Sequence, residues 1–285
     1  MNSEEAVLSM PGGVDRVTAV YRKIGDTELK IHIYRPSGWT KTDRRPAIVF
    51  FFGGGWVAGT PEQFRKQSAY LADRGMVAVT PEYRVKTRHG STPFDSVDDA
   101  VSAVVWVRDH AGGLGIDPAR IAVGGGSAGG HLAACTATLD HETAEGKRSF
   151  GIPAAMVLFN PVLDTSDRGF GSATLRERAL EISPVHHLKP GVPPAIIFHG
   201  TDDTTVPFEN PERFKKAMDG LGIPCDLVPY FGRRHAFFNA RPGRAEDFLD
   251  TLEKADAFLT GLDFLKGNPR VREYFQKYAG DFADL

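Results

Sequence analysis

The chain of 285 residues carries 34 Lys and Arg against 36 Asp and Glu, a net charge of −2, with 41% apolar and 25% charged residues. That balance excludes a strongly basic nucleic-acid binder, which needs a cationic surplus against phosphate, and a disordered chain, which combines few apolar residues with high net charge. A chain of this size buries about 75% of its unfolded surface around one core, so a single domain over 1–285 is expected.

Residues 1–14 are expected to be flexible, and the acidic start shows no basic segment followed by an apolar stretch. With no export signal visible, cytoplasmic residence is the expectation, although the mature form of an exported protein would read the same way. Residues 18–21 and 28–34 read as an antiparallel strand pair around the Gly25-Asp26 turn. After Pro46 the pattern changes. Residues 47–52 form a continuous apolar run, suited to a strand buried on both faces, and 63–74 follow as an amphipathic helix. Residues 76–80 are the next strand and 94–110 a helix with Val101, Val104, Val105 and Val107 on its apolar side. A strand begins at 121–123 and a helix occupies 128–139. Strands at 155–160, 195–199 and 226–230 and helices at 211–221 and 245–262 continue the alternation.

Two stretches depart from this rhythm. Residues 164–193, with a helix-like piece at 172–181, read as a cap-like insertion or a long connection. Residues 263–285 read as a helical extension, with Val271, Tyr274, Phe275 and Tyr278 at helical spacing, docked on its own domain or joining a homodimer. No apolar run approaches the ~20 residues of a membrane helix. Cys135 and Cys225 are too few for a disulfide framework or a zinc site and read as buried thiols. Strands alternating with helices predict an α/β fold: a mostly parallel sheet of about eight strands, flanked by helices, with its loops gathered at the strands' carboxyl edge.

At that edge stands Gly125-Gly126-Ser127-Ala128-Gly129, a G-x-S-x-G match between a buried strand and an apolar helix. A sharp strand-to-helix turn lifts a serine hydroxyl clear of the sheet, and only small neighbours permit it. The same letters satisfy G-x-G-x-x-G through Gly124, Gly126 and Gly129. A dinucleotide site, however, requires an acidic residue about 20 positions on at a strand end, and the next strand ends in Asn160. A serine nucleophile needs a base, and the base needs a carboxylate to hold its tautomer. Asp203 lies in the loop after strand 195–199, with Asp164 after the preceding strand in reserve. Among nine histidines, His235 alone sits in the loop after the last strand and before the last main helix. Gly53-Gly54-Gly55-Trp56 follows strand 47–52, where consecutive glycines let backbone N–H groups turn inward as an oxyanion hole. Gly54 and Gly55, with Ala128 at the helix start, are the expected donors.

These motifs resemble the α/β-hydrolase superfamily, and more narrowly the hormone-sensitive-lipase-like carboxylesterases with their acetylesterase and feruloyl-esterase-like relatives. The resemblance covers about residues 46–259. It rests on Phe52-Gly-Gly-Gly-Trp56, Glu82-Tyr83-Arg84, Asp117-Pro-Ala-Arg-Ile121, the serine turn, His199-Gly-Thr-Asp-Asp-Thr-Thr-Val-Pro207 and His235-Ala-Phe-Phe-Asn239. By this resemblance Ser127, Asp203 and His235 would form a triad, with Gly54, Gly55 and Ala128 as oxyanion donors. Three positions depart from the family pattern: Phe52 replaces the usual histidine, Gly126 the usual acidic residue, and Arg234 a small residue. The segment before the first parallel strand is short for a two-helix cap, which implies an open site.

The expected reaction is hydrolysis of a small-molecule acyl ester, short-chain and on a carbohydrate or phenolic acid, through an acyl-enzyme. It would use no metal or organic cofactor, no nucleic acid and no membrane. Trp56 and Phe237 are expected to bound the substrate pocket, and Arg233 and Arg234 would favour substrates bearing a carboxylate. The competing readings are a serine peptidase on the same fold and a catalytically silent small-molecule-binding protein on the same scaffold.

Overall fold

The structure, a computed structural model, describes residues 7–240 and 245–282. Its centre is a nine-stranded sheet in the order β1-β2-β3-β5-β4-β6-β7-β8-β9. The strands are β1 (Leu8–Met10), β2 (Val14–Ile24), β3 (Thr27–Arg35), β4 (Arg45–Phe51), β5 (Val77–Pro81), β6 (Ile116–Gly126), β7 (Pro153–Phe159), β8 (Ala195–Gly200) and β9 (Cys225–Tyr230). The helices are α1 (Arg65–Asp73), α2 (Lys86–His89), α3 (Pro93–Asp109), α4 (Ala128–Thr138), α5 (Ser172–Leu175), α6 (Glu209–Gly220), α7 (Glu246–Gly261) and α8 (Val271–Lys277). From β5 through β9 every pairing is parallel, while β1, β2, β3 and β5 pair antiparallel.

Alternation along the strands explains the layers. Ala47, Val49, Phe51, Ile121 and Val123 enter one apolar cluster, and Ile48, Phe50, Ala122, Val157 and Phe159 the other. Both faces are therefore covered, which is why the sequence of these strands reads as unbroken apolar runs. Helix α3 shows how a boundary is set: Thr92 accepts from the Asp95 N–H and the Asp95 carboxylate accepts from the Thr92 N–H, a reciprocal cap with Pro93 at the first helical position.

The sheet, expected with about eight strands, has nine, β1 forming a short edge paired to β2. Other expectations need correction. Residues 8–14 are thus not a flexible lead: Met10 and Val14 are buried, and residues 1–6 lie outside the described part. The helix-like piece at 172–181 is only the one-turn α5 followed by 3₁₀ turns over Arg176–Ile182, with Arg176 at φ 54° breaking the run. Strand β6 starts five residues before the expected 121.

Residues 164–193 are pinned along their length. Thr165 Oγ1 donates to Ala179 O at 2.6 Å, Val185 N–H to Leu163 O at 2.9 Å, and Arg213 Nε to Asp164 Oδ2 at 2.8 Å. Helix α8 buries Val271, Tyr274 and Phe275, with Phe275 against Phe248 of α7 and Tyr274 edge-on to Tyr70 of α1. The end of the tail, 283–285, lies outside the described residues. No described helix is long and apolar enough to cross a membrane.

Candidate active site

Five adjacent strands, β4, β6, β7, β8 and β9, each deliver one loop to the same carboxyl edge. Strand β6 ends at Gly126 and α4 begins at Ala128, leaving Ser127 alone in the turn at φ 54° and ψ −120°. A non-glycine residue at positive φ costs about 1–3 kcal/mol and persists only where its surroundings fix it. Here Ser127 N–H donates to Phe159 O at 2.9 Å, and Ser127 O accepts from His131 N–H at 3.0 Å. The turn is also packed backbone against backbone. A Cβ on Gly129 would stand 2.1 Å from Phe51 O and 2.3 Å from Phe52 O. Glycine there lets the serine turn and the β4 loop touch.

His235, after β9, points Nε2 at Ser127 Oγ across 2.8 Å and Nδ1 at Asp203 Oδ2 across 2.6 Å. Asp203, after β8, is buried, and its other oxygen accepts the Thr205 and Val206 N–H groups, both at 2.9 Å. Burial alone would raise this carboxyl. Hydrogen bonds from His199, His235 and the Val206 N–H outweigh it and hold Asp203 ionised far below the usual carboxylate range. An ionised Asp203 accepts from Nδ1–H, so Nε2 is left with the lone pair that faces the serine hydroxyl. Asp202 is exposed, and Asp164 is engaged by Ser166 and Arg213, so neither reaches His235.

The β4 loop brings Gly53 to Gly55 beside this trio. A Cβ on Gly53 would meet Ser127 Cβ at 3.3 Å, and one on Gly54, at φ 129°, would lie 2.1 Å from Ala58 O. The Gly53 N–H is already donated, to Gln63 Oε1 at 2.6 Å. Phe52 stacks on Tyr83 with centroids 4.0 Å apart, and the Tyr83 hydroxyl donates to Phe52 O at 2.7 Å. Packing and one hydrogen bond thus stand where a polar residue would otherwise shape the loop. Gly126 is explained the same way: a Cβ there would lie 2.4 Å from Cζ of Phe238, whose ring occupies the space an acidic side chain would need.

Trp56, at φ 61°, is buried against Phe170, and its Nε1–H donates to His131 Nδ1 at 3.2 Å. His131 Nε2–H in turn donates to Ile182 O at 2.7 Å, which ties the β4 loop to the 164–193 segment through α4. Burial lowers the His131 pKa to about 4. Phe237 and Trp56, expected to bound the pocket, pack with apolar clusters on opposite faces of the sheet, Phe237 lying on Tyr230 with 4.6 Å between centroids. Arg233 pairs with Asp247 at 2.7 Å, and Arg234 lines an open cleft with Asp202, Asp203 and Glu209. The Arg233 charge is thus met by a local carboxylate.

The residues missed from sequence are amides. Asn160, at the end of β7, is buried at φ 36°, accepts the Ala236 N–H at Oδ1 (3.1 Å) and places Nδ2 3.4 Å from His235 Nε2. Its signal was a polar residue closing an otherwise apolar strand. Cys135 and Cys225 are free and buried, and burial pushes the Cys225 thiol up to about 12. Among the described residues no group of three or more His, Cys, Asp or Glu side chains could hold a metal ion.

A doubly covered, mainly parallel sheet with Ser127, Asp203 and His235 brought together from the loops after β6, β8 and β9 defines the class: an α/β hydrolase. Comparison with known proteins agrees. Residues 31–167 match the BD-FAE family. A thermophilic esterase of the planctomycete Thermogutta terrifontis, solved with propionate bound, is 48% identical over 88% of this chain and 96% of its own, with a TM-score of 0.83. Isoprenylcysteine α-carbonyl methylesterase of Arabidopsis thaliana is 30% identical over 72% of this chain and 53% of its own length. This chain spans about half the length of the curated relatives it matches first. It belongs to the carboxylesterases of the α/β-hydrolase superfamily.

Proposed function

We propose that this protein is a serine carboxylesterase that hydrolyses short-chain acyl esters through an acyl-enzyme. The observation that carries the reading is the continuous path Ser127 Oγ, His235 Nε2, His235 Nδ1, Asp203 Oδ2, at 2.8 Å and 2.6 Å. Support for short chains comes from Trp56, which follows the glycines of the β4 loop, packs on Phe170 of the 164–193 segment and is tied through His131 to Ile182. The planctomycete esterase, solved with propionate and with butyrate, is consistent with that size.

In this reading Ser127 Oγ attacks the ester carbonyl as His235 Nε2 takes its proton. The oxyanion is met by the N–H groups of Gly54, Gly55 and Ala128, the last at the amino end of α4. As the tetrahedral adduct collapses, the carbon–oxygen bond to the alcohol breaks and His235 returns the proton to the leaving oxygen. Water then attacks the acyl carbon with His235 as base, and Ser127 leaves with its proton restored. Asp203 stays ionised throughout and steadies the imidazolium.

The test is hydrolysis of p-nitrophenyl esters from acetyl to dodecanoyl by wild type and Ser127→Ala side by side. Activity concentrated at short chains and lowered by several orders of magnitude in the variant is expected. Paraoxon, which phosphorylates the planctomycete esterase, should inactivate the protein and leave its diethylphosphoryl group on the peptide bearing Ser127. Full activity in Ser127→Ala would end the reading.

A further inference from the structure

The oxyanion loop and the histidine loop come from β4 and β9, at opposite ends of the five-strand array, and only the histidine loop contributes a member of the triad. A chain of side-chain amides joins them. Gly53 N–H donates to Gln63 Oε1 at 2.6 Å, Gln63 Nε2 donates to Asn239 Oδ1 at 3.1 Å, and Asn239 Nδ2 donates to Ala236 O at 3.0 Å. The orientation of both amides is forced. The chain starts at a backbone N–H, which can only donate, and ends at a backbone carbonyl, which can only accept, so each amide must present oxygen upstream and nitrogen downstream.

What the bridge holds is informative at both ends. Gly53 precedes the proposed donors Gly54 and Gly55, and fixing its N–H fixes the plane of the peptide from which they turn. Ala236 follows His235 and sits at φ 63°, a strained position for a residue with a Cβ. Its peptide groups are clamped from two sides, the N–H by Asn160 Oδ1 at 3.1 Å and the C=O by Asn239. The strain is therefore kept by contacts whose only evident product is the direction of the His235 ring.

We propose that Gln63 and Asn239 are positioning residues that lock the oxyanion loop to the general-base loop, so that oxyanion donors and His235 hold one geometry through turnover. The proposal rests on the serine-esterase reading above. Neither side chain touches the reacting atoms; each acts through the backbone it holds. The bridge is most valuable when charge develops on the substrate oxygen and on the imidazole together, so its loss should fall on kcat rather than on ground-state binding.

The experiment compares Gln63→Met and Asn239→Leu, which keep side-chain volume but remove the amides, with the double variant and with Gln63→Glu. The last retains an acceptor for Gly53 N–H but sets an oxygen against Asn239 Oδ1. Active sites are counted by paraoxon titration. The readouts are kcat and KM on p-nitrophenyl acetate and the affinity for an aliphatic trifluoromethyl ketone, which forms an oxyanion on the serine. Each single variant is expected to lose about 10- to 100-fold in kcat per active site with KM little changed. Ketone affinity should fall in proportion, and the double variant should be no worse than the poorer single. Gln63→Glu should resemble Asn239→Leu. Unchanged kcat per active site, a loss confined to KM, or multiplicative single effects would overturn the bridge while leaving the serine reading intact, provided Ser127→Ala is inactive. An active Ser127→Ala would overturn both.

Discussion

Asp203 illustrates how one side chain is given its role by what surrounds it. It is an ordinary aspartate in a loop with another beside it, yet burial, two backbone N–H groups and two imidazoles converge on it alone. His199 shares the load: its Nε2 lies 3.3 Å from Asp203 Oδ2 and 2.8 Å from Val206 O, bracing the carboxylate from beneath the site. Asp203→Asn keeps an acceptor for the loop N–H groups but no longer selects the Nδ1–H tautomer. A fall of about 10⁴-fold in kcat with the fold preserved is expected. Steady-state kinetics and a thermal melt check it, and a loss of less than tenfold would show that the carboxylate does not orient His235.

At the scale of elements, the turn between β6 and α4 is assembled by close approach. Gly126 is small because Phe238, from the histidine loop, fills the space next to it. The two positions should behave as a pair. Gly126→Asp, which installs the acidic residue common in related esterases, is expected to cost about 1–3 kcal/mol by overpacking. In a Phe238→Ala background that cost should shrink, because the ring it collides with is gone. Urea unfolding of the two singles and the double gives the coupling directly; strictly additive costs would refute the pairing. The same logic runs from the β4 loop, where Phe52 packs on Tyr83. In both places an aromatic ring does by volume what the family pattern does with a polar contact.

Asp203 and His131 are two of the groups that give the whole molecule its pH dependence, alongside a lowered His32 and other lowered carboxyls such as Asp164. Asp203 is held ionised below the usual range, so its stabilisation is present above about pH 4, the ordinary carboxylate pKa, and is lost as the pH falls further. His131 is displaced downward from 6.5 to about 4 because it is buried. Between those limits the unfolded chain binds a proton that the folded one refuses, so stability declines as the pH drops from 6.5 toward 4. The decline from this histidine alone is roughly 3 kcal/mol. Denaturant midpoints measured across that interval should fall steadily toward acid, and His131→Gln, which keeps a donor and an acceptor, should flatten the slope. An unchanged slope in the variant would assign the acid sensitivity elsewhere.

Much of this architecture was legible because its causes are local or periodic. Apolar runs at residues 47–52 and 154–159 announce strands covered on both sides, and a glycine-flanked serine between strand and helix announces a sharp turn. The loops expected to hold Ser127, Asp203 and His235 follow from chain order alone, since parallel strands deliver successive loops to one edge. What chain order cannot fix is which side chains meet across it. Phe237 and Phe238 are adjacent and identical in sequence, yet one lies on Tyr230 and the other under Gly126. Arg233 is spent on Asp247, which no motif in the sequence would have predicted. Gln63 and Asn239 meet from positions 176 residues apart, as two amides among many polar side chains. Periodicity and turn chemistry are properties of neighbours along the chain and can be read there. A hydrogen bond between distant loops depends on sheet order, register and packing, and only the folded molecule sets those.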